Sequence, residues 1–140
     1  GVTLLPHSTP GLQRAGRREH MFRRVGGRWQ PDDFSHEQSL VLETEEGLVI
    51  FNSCSHAGAD NIINEVAAAF PGKTVRAMIG GFHLYNKSEA EVKTLAQKLE
   101  ATGVAYICTG HCTGPEAYEL LARTLGRRLH PLQVGLTMEF

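Results

Sequence analysis

No stretch of this chain approaches the ~20 consecutive apolar residues of a membrane-spanning helix, and its opening residues show no signal-peptide pattern. Cysteine is scarce. Cys54, Cys108 and Cys112 make an odd number without the spacing of a disulfide framework. A reducing compartment, the cytoplasm, is therefore the expected location. Net charge is only -1, which gives no electrostatic case for nucleic acid as a partner. Internal repeats and low-complexity tracts are also lacking. The first residue is Gly1 rather than methionine, so a piece of a longer protein is expected.

What is present fits one globular domain: 140 residues, 41% hydrophobic and 21% charged, enough to bury a real core. The charge is unevenly placed. Arg14, Arg17, Arg18, Arg23, Arg24 and Arg28 stand against Glu19 alone in residues 1–31, a balance of +5 that leaves -6 for the rest. Residues 1–37 read as a loop-rich basic segment in which Thr3, Leu4 and Leu5 suggest one short strand. Its arginines form either a wall that attracts an anionic substrate or a solvated arm over the sheet edge.

From Gln38 onward, residues 38–140, the pattern is clear. Residues 39–44 and 48–51 are β-rich runs joined by Glu45-Glu46-Gly47, a hairpin signal. Residues 57–70 place Ile62, Ile63, Val66, Ala67 and Phe70 on one helical stripe, ended by Pro71-Gly72. Residues 74–79 read as a buried strand. Ser88 and Glu91 form a capping box that opens a helix facing inward through Val92, Leu95, Ala96 and Leu99. Residues 104–108 are the next strand. Thr113 and Glu116 read as a second capping box, with Pro115 in the first turn and Ala117, Leu120, Leu121 and Leu125 facing inward. A last strand or two, broken at Pro131, completes an α/β order with a mixed sheet and helices packed on it.

Three strand-to-helix turns carry histidine: Cys54-Ser55-His56-Ala57-Gly58, Gly80-Gly81-Phe82-His83-Leu84 and Gly110-His111-Cys112-Thr113-Gly114. Ligands bind beyond the carboxyl ends of strands in open α/β sheets, and imidazole suits zinc, iron, nickel and copper. His56, His83 and His111 are thus expected to meet on one rim. His7, His20, His36 and His130 lack that setting. Cys54 and Cys112 are read as small apolar packing groups, with a cysteine–histidine nucleophile as the alternative. The helix start at Thr113 and Gly114 offers free N–H groups for an anion, which favours a phosphorylated or carboxylated substrate.

These motifs, with Glu37-Gln38-Ser39-Leu40-Val41 and Asn61-Ile62-Ile63, resemble the second half of a metallo-β-lactamase-fold hydrolase. The nearest branch is that of dihydropterin aminobenzene ribofuranosyl-phosphate synthases. The resemblance covers residues 32–140 and implies an αββα sandwich of which this chain is the C-terminal half. It also implies a divalent metal, zinc with iron or manganese as alternatives. His111 is then the late metal-binding histidine, and His56 stands where many relatives bridge metals with aspartate. His83 becomes a further ligand or a catalytic, substrate-contacting residue, and His36 or Glu37 falls near another ligand position, Glu37 being the catalytic candidate. The family's His-x-His-x-Asp-His motif is absent. The implied function is half of a metal-dependent hydrolase or synthase, in which activated water attacks an ester or phosphoester. Such a half needs an N-terminal complement or self-association. A non-catalytic ligand- or partner-binding module of the same fold is the alternative.

Overall fold

The computed structural model describes residues 1–140. Six strands form one sheet in the order β1-β4-β5-β6-β7-β8, comprising Val2–Pro6, Gln38–Thr44, Gly47–Phe51, Val75–Gly81, Tyr106–Gly110 and Leu129–Pro131. The β1–β4 and β4–β5 pairs are antiparallel, whereas β5–β6, β6–β7 and β7–β8 are parallel. Each parallel step crosses over through one helix: α2 (Ala59–Ala69), α3 (Glu89–Ala101) and α4 (Pro115–Leu125). Every crossover moves the same way across the sheet, so crossovers of one hand deposit all three helices on one face. Ile62 and Val66 of α2, Val92 and Leu99 of α3 and Leu121 of α4 accordingly share one core with Val41, Leu48, Ile50, Met78 and Ile107 of the strands.

Strand alternation sends Val49, Ala77, Ile79 and Cys108 to the opposite face, where no helix lies. Leu132, Met138 and Phe140, after the last strand, partly cover it. A register shift between Leu48 and Val49 leaves Arg76 opposite no partner on β5, so Val75 and Met78 both point to the helical face.

Most of the sequence reading of residues 38–140 stands. The hairpin pairs Thr44 with Gly47, so its loop is the two residues Glu45 and Glu46 rather than three. Ser88 caps α3 with the reciprocal Glu91 contact of a capping box. The second capping box does not form. Gly114, not Thr113, is the N-cap of α4, and no side chain caps it. The description of residues 1–37 as loop-rich is corrected. They hold β1, the helix α1 (Leu12–Arg18) and a two-stranded sheet of β2 (Phe22–Val25) with β3 (Arg28–Pro31). That hairpin turns on Gly26 and Gly27, both at positive φ (55 and 80), which suits a tight two-residue turn. Leu5 and Leu12 pack on the main core, Arg18 donates to Glu91 Oε1 at 3.2 Å and Glu19 pairs with Lys87, so the basic segment is fastened to the domain.

The parallel strands end in close backbone contact. A Cβ on Gly80, at φ 155, would stand 2.2 Å from Asn52 O. Gly80→Ala therefore forces β5 and β6 apart. It is expected to cost about 3 kcal/mol in urea unfolding, the upper part of the overpacking range. Gly72→Ala, at φ 81 with nothing within 4 Å, should cost only the left-handed strain of about 1–2 kcal/mol.

Candidate metal centre

The carboxyl ends of β5, β6 and β7 lie side by side, and the turns that leave them hold the site. Five non-glycine residues have positive φ. Three of them are in these turns, Ser55 (57), His83 (48) and His111 (52); Phe34 (51), ahead of β4, stacks on His56, and His20 (55) lies elsewhere. Each such conformation costs on the order of 1–3 kcal/mol and persists where surrounding contacts over-determine it. Strain this concentrated marks the turns as built rather than incidental.

Glu37 is buried just before β4. Its Oε1 accepts the His56 N–H at 3.0 Å and faces His56 Nδ1 at 3.1 Å, while Oε2 accepts the Ala57 N–H at 3.2 Å. Burial opposes ionisation of this carboxyl, but the His56 ring and the two backbone N–H groups outweigh it and hold the pKa below the usual 4.5. A carboxylate only accepts, so the imidazole proton sits on Nδ1. The Nε2 lone pair is left free, and that atom is buried with no partner. Phe34 stacks on the other side of the ring, centroids 4.0 Å apart and planes 7° from parallel.

His83 faces His56 at 4.4 Å between ring centroids. Both of its nitrogens are buried without a hydrogen bond. Burial, then the neighbouring His56 and Lys87, pushes its pKa below 6.5 against the pull of Glu19, so the ring is neutral and able to act as a ligand at pH 7. Glu19, at the end of α1, lies 3.6 Å from His83 Nε2 and binds Lys87 and Asn86. Burial resists its ionisation, yet the hydrogen bonds and charge of Lys87, Asn86 and His83 lower its pKa to about 2. The basic segment thus reaches the site through an acid, while Arg18, Lys87 and Lys98 supply positive charge around the same cavity of about 240 Å³.

The three imidazoles do not form a single trio. Cys54, His56 and His83 place one ligand atom each within 4.8 Å of one another, and so, separately, do Cys54, His111 and Cys112. His111 is exposed, whereas His83 is buried. Cys54 and Cys112 lie at the centre of these groups, while Cys108 packs as an apolar side chain under the sheet. Burial raises the Cys112 thiol to about 11, so by itself it is no thiolate nucleophile at neutral pH. His36 is exposed on the surface, 3.9 Å from Asp32. His7 is buried in structural bonds of 2.9 Å to Glu65 and Ser39.

The Thr113 hydroxyl points inward. It lies 2.6 Å from Thr109 Oγ1 and accepts the Phe82 N–H at 3.1 Å. It ties the β6 turn to the β7 turn, and only the Gly114 backbone remains at the open start of α4, where Glu116 adds negative charge.

Sequence reading did not single out Glu19, Phe34 or Ser55. Ser55 Oγ donates to Gly81 O at 2.7 Å and binds the Asn52 side chain, joining two turns. A Ser beside a motif histidine was a visible signal; Glu19, so far from the other site residues in sequence, gave none. Two bonds to Lys87 and Asn86 make Glu19→Gln expected to lose about 1.5–3 kcal/mol at pH 7 in urea unfolding. Because the folded pKa lies below the unfolded value, this contribution is full above pH 4.5 and fades as pH falls to about 2. The gap between wild type and variant should close across that window; a gap unchanged at pH 2 contradicts the assignment.

No protein-family model matches the chain. In sequence it is 31% identical over 120 residues to the 7,8-dihydropterin-6-methyl-4-(beta-D-ribofuranosyl)-aminobenzene-5'-phosphate synthase of Methanocaldococcus jannaschii, a match covering 86% of this chain and 41% of that enzyme. In structure it is similar to crystalline Tm1679, a metal-dependent hydrolase of the β-lactamase superfamily, with a TM-score of 0.83 and 30% identity over 99% of this chain and 53% of that one. The chain therefore spans about half the length of these relatives. The chain thus has the metallo-β-lactamase fold, and its sequence is similar to that of the dihydropterin aminobenzene ribofuranosyl-phosphate synthase.

Proposed function

We propose that this chain supplies part of the divalent-metal site of a hydrolase or synthase acting on a phosphate-containing ester. The observation that carries this reading is the pair of facing imidazoles, His56 and His83, with buried ring nitrogens that no protein group satisfies. An unsatisfied buried polar atom costs about 1–3 kcal/mol, and a cation would satisfy several at once. Imidazole nitrogens suit zinc, with iron as an alternative, and manganese would need added oxygen donors. A divalent ion held there supplies Lewis acidity and brings the pKa of water towards ~7.

The chain's own groups divide the remaining work. Glu37 fixes the tautomer and aim of His56, as carboxylates do behind metal-binding histidines, so its role is positioning rather than proton transfer to substrate. His83 is a donor or substrate contact, and His111 stands on the exposed side. Arg18, Lys87 and Lys98 favour an anionic substrate at the cavity mouth. The Gly114 edge is a further anion contact, with Thr113 holding that turn in place. A phosphorylated substrate agrees with the name of the archaeal relative. Residues that this chain lacks, in the relatives' remaining length, would complete the donor set. A strand edge and sheet face without helices favour an N-terminal complement or a second copy. Val2 and Leu4, 70% and 59% exposed on the edge strand β1, favour the same. The same surface supports the second reading, a non-catalytic module that binds such a partner.

Zinc uptake by equilibrium dialysis tests the proposal. Wild type is expected to retain zinc. His56→Ala should lose it, and Glu37→Gln should bind about 10–100-fold more weakly. Affinity unchanged in His56→Ala would refute the metal assignment.

A further inference from the structure

Two surface features have no part in the metal centre, and they complement each other. The first is the β2–β3 hairpin. It carries Trp29, the only tryptophan, 71% exposed, together with exposed Phe22 and Val25. Pairing sets Arg24 opposite Trp29 and Phe22 opposite Pro31, so strand alternation puts Phe22, Arg24 and Trp29 on one side of the ribbon. Val25 and Arg28 pair beside the Gly26-Gly27 turn. Arg23 is held by Asp33 at 2.6 Å, whereas the Arg24 guanidinium meets only the Gly27 carbonyl and Arg28 has no acidic partner. Aromatic side chains and arginine gathered in this way have the composition of an interface core.

The second feature is a groove of about 480 Å³ between α3 and α4. Leu84, Val92, Ala117 and Leu120 give it apolar walls, and Tyr85 lines it while 62% exposed. Of the charges around it, Lys87 is engaged by Glu19 and Glu89 by Lys93. Glu116 and Glu119, both exposed and without a cationic partner, stand against Arg123 alone.

We infer that the hairpin of one copy of this chain docks in the α3–α4 groove of a second copy. Trp29 is the apolar anchor, and Arg24 and Arg28 meet Glu116 and Glu119. The balance of +5 in residues 1–31 against -6 in the rest steers the same encounter. Trp29 is exposed within its own chain, so the groove it enters belongs to another copy. A hairpin tip in a groove is a small interface, so association depends on protein concentration. The contact uses neither the metal donors nor the edge strand β1, and it stands apart from the functional reading.

Sedimentation velocity of the purified full chain, over a concentration series reaching the millimolar range, tests this, with Trp29 emission recorded on the same samples. Wild type should associate, and its emission should move to shorter wavelength as Trp29 leaves water. Trp29→Ala should weaken association about 30-fold, the loss of an anchor residue. Arg24→Glu with Arg28→Glu should be monomeric, and so should Glu116→Arg with Glu119→Arg. An equimolar mixture of those two double variants should associate again, because every hairpin then faces a groove of opposite charge. All four side chains are exposed, and circular dichroism checks folding; Trp29→Ala decides if a double variant does not fold. Wild type that stays monomeric, or that associates without a shift of Trp29 emission, overturns the proposal. Double variants that associate as wild type does, or a mixture that stays monomeric, overturn it equally. Each of these results leaves the metal assignment intact.

Discussion

Buried imidazole nitrogens without partners impose the constraint that organises this molecule. A folded chain loses about 1–3 kcal/mol for each polar atom it removes from water without a replacement bond. Here His56 Nε2 and both His83 nitrogens are buried in that condition, with the two ring centroids 4.4 Å apart and the planes tilted by 48°. Domain stabilities are only about 5–15 kcal/mol in total, so such losses need opposing contacts close by. The Glu37 carboxylate, with three acceptor contacts from His56 and Ala57, is the first of these. Stacking of Phe34 on His56 is the second. Both hold the ring that carries the free lone pair, and neither touches that lone pair.

The surrounding polar network ties the turns to one another rather than to solvent. Ser55 links Asn52 on one turn to the Gly81 carbonyl on the next, and Asn52 passes the chain of contacts to Ser39 on β4. His7 extends it to β1 and to Glu65 on α2. Across the site, Thr113 performs the same task between β6 and β7. These contacts keep three strained turns in register. A mobile turn would lower the strain and lose the donor geometry.

Much of the fold was legible because residues 38–140 obey simple periodicities. Val92, Ala96 and Leu99 repeat at helical spacing, and Ser88 with Glu91 carries its own start signal. The three histidine turns were legible for a similar reason, since each follows a run of β-formers and ends in small residues. What remained hidden depends on contacts distant in sequence. Thr113 has the spacing of a helix cap, but a buried hydroxyl partner at Thr109 outbids the local bond. Residues 1–31 look like a charged arm because their apolar side chains are few, yet Leu5 and Leu12 suffice to dock them. Sequence spacing could not show that Ser55 and His111 turn left-handed.

The one-way march of the parallel strands explains why the three histidine turns gather where they do. With all three crossover helices on one face, the carboxyl ends of β5, β6 and β7 open onto an edge, and the strand order never reverses to make a walled crevice. Walls must come from elsewhere. On one side α1 provides them, bringing Glu19 against His83 and Lys87 and carrying Arg18 to the cavity. On the other, the helix-free face bears only a small cluster around Val49, Ile79 and Cys108, with residues from the end of the chain laid over it. A sheet covered by helices on one side only thus leaves its opposite face to the residues at the end of the chain.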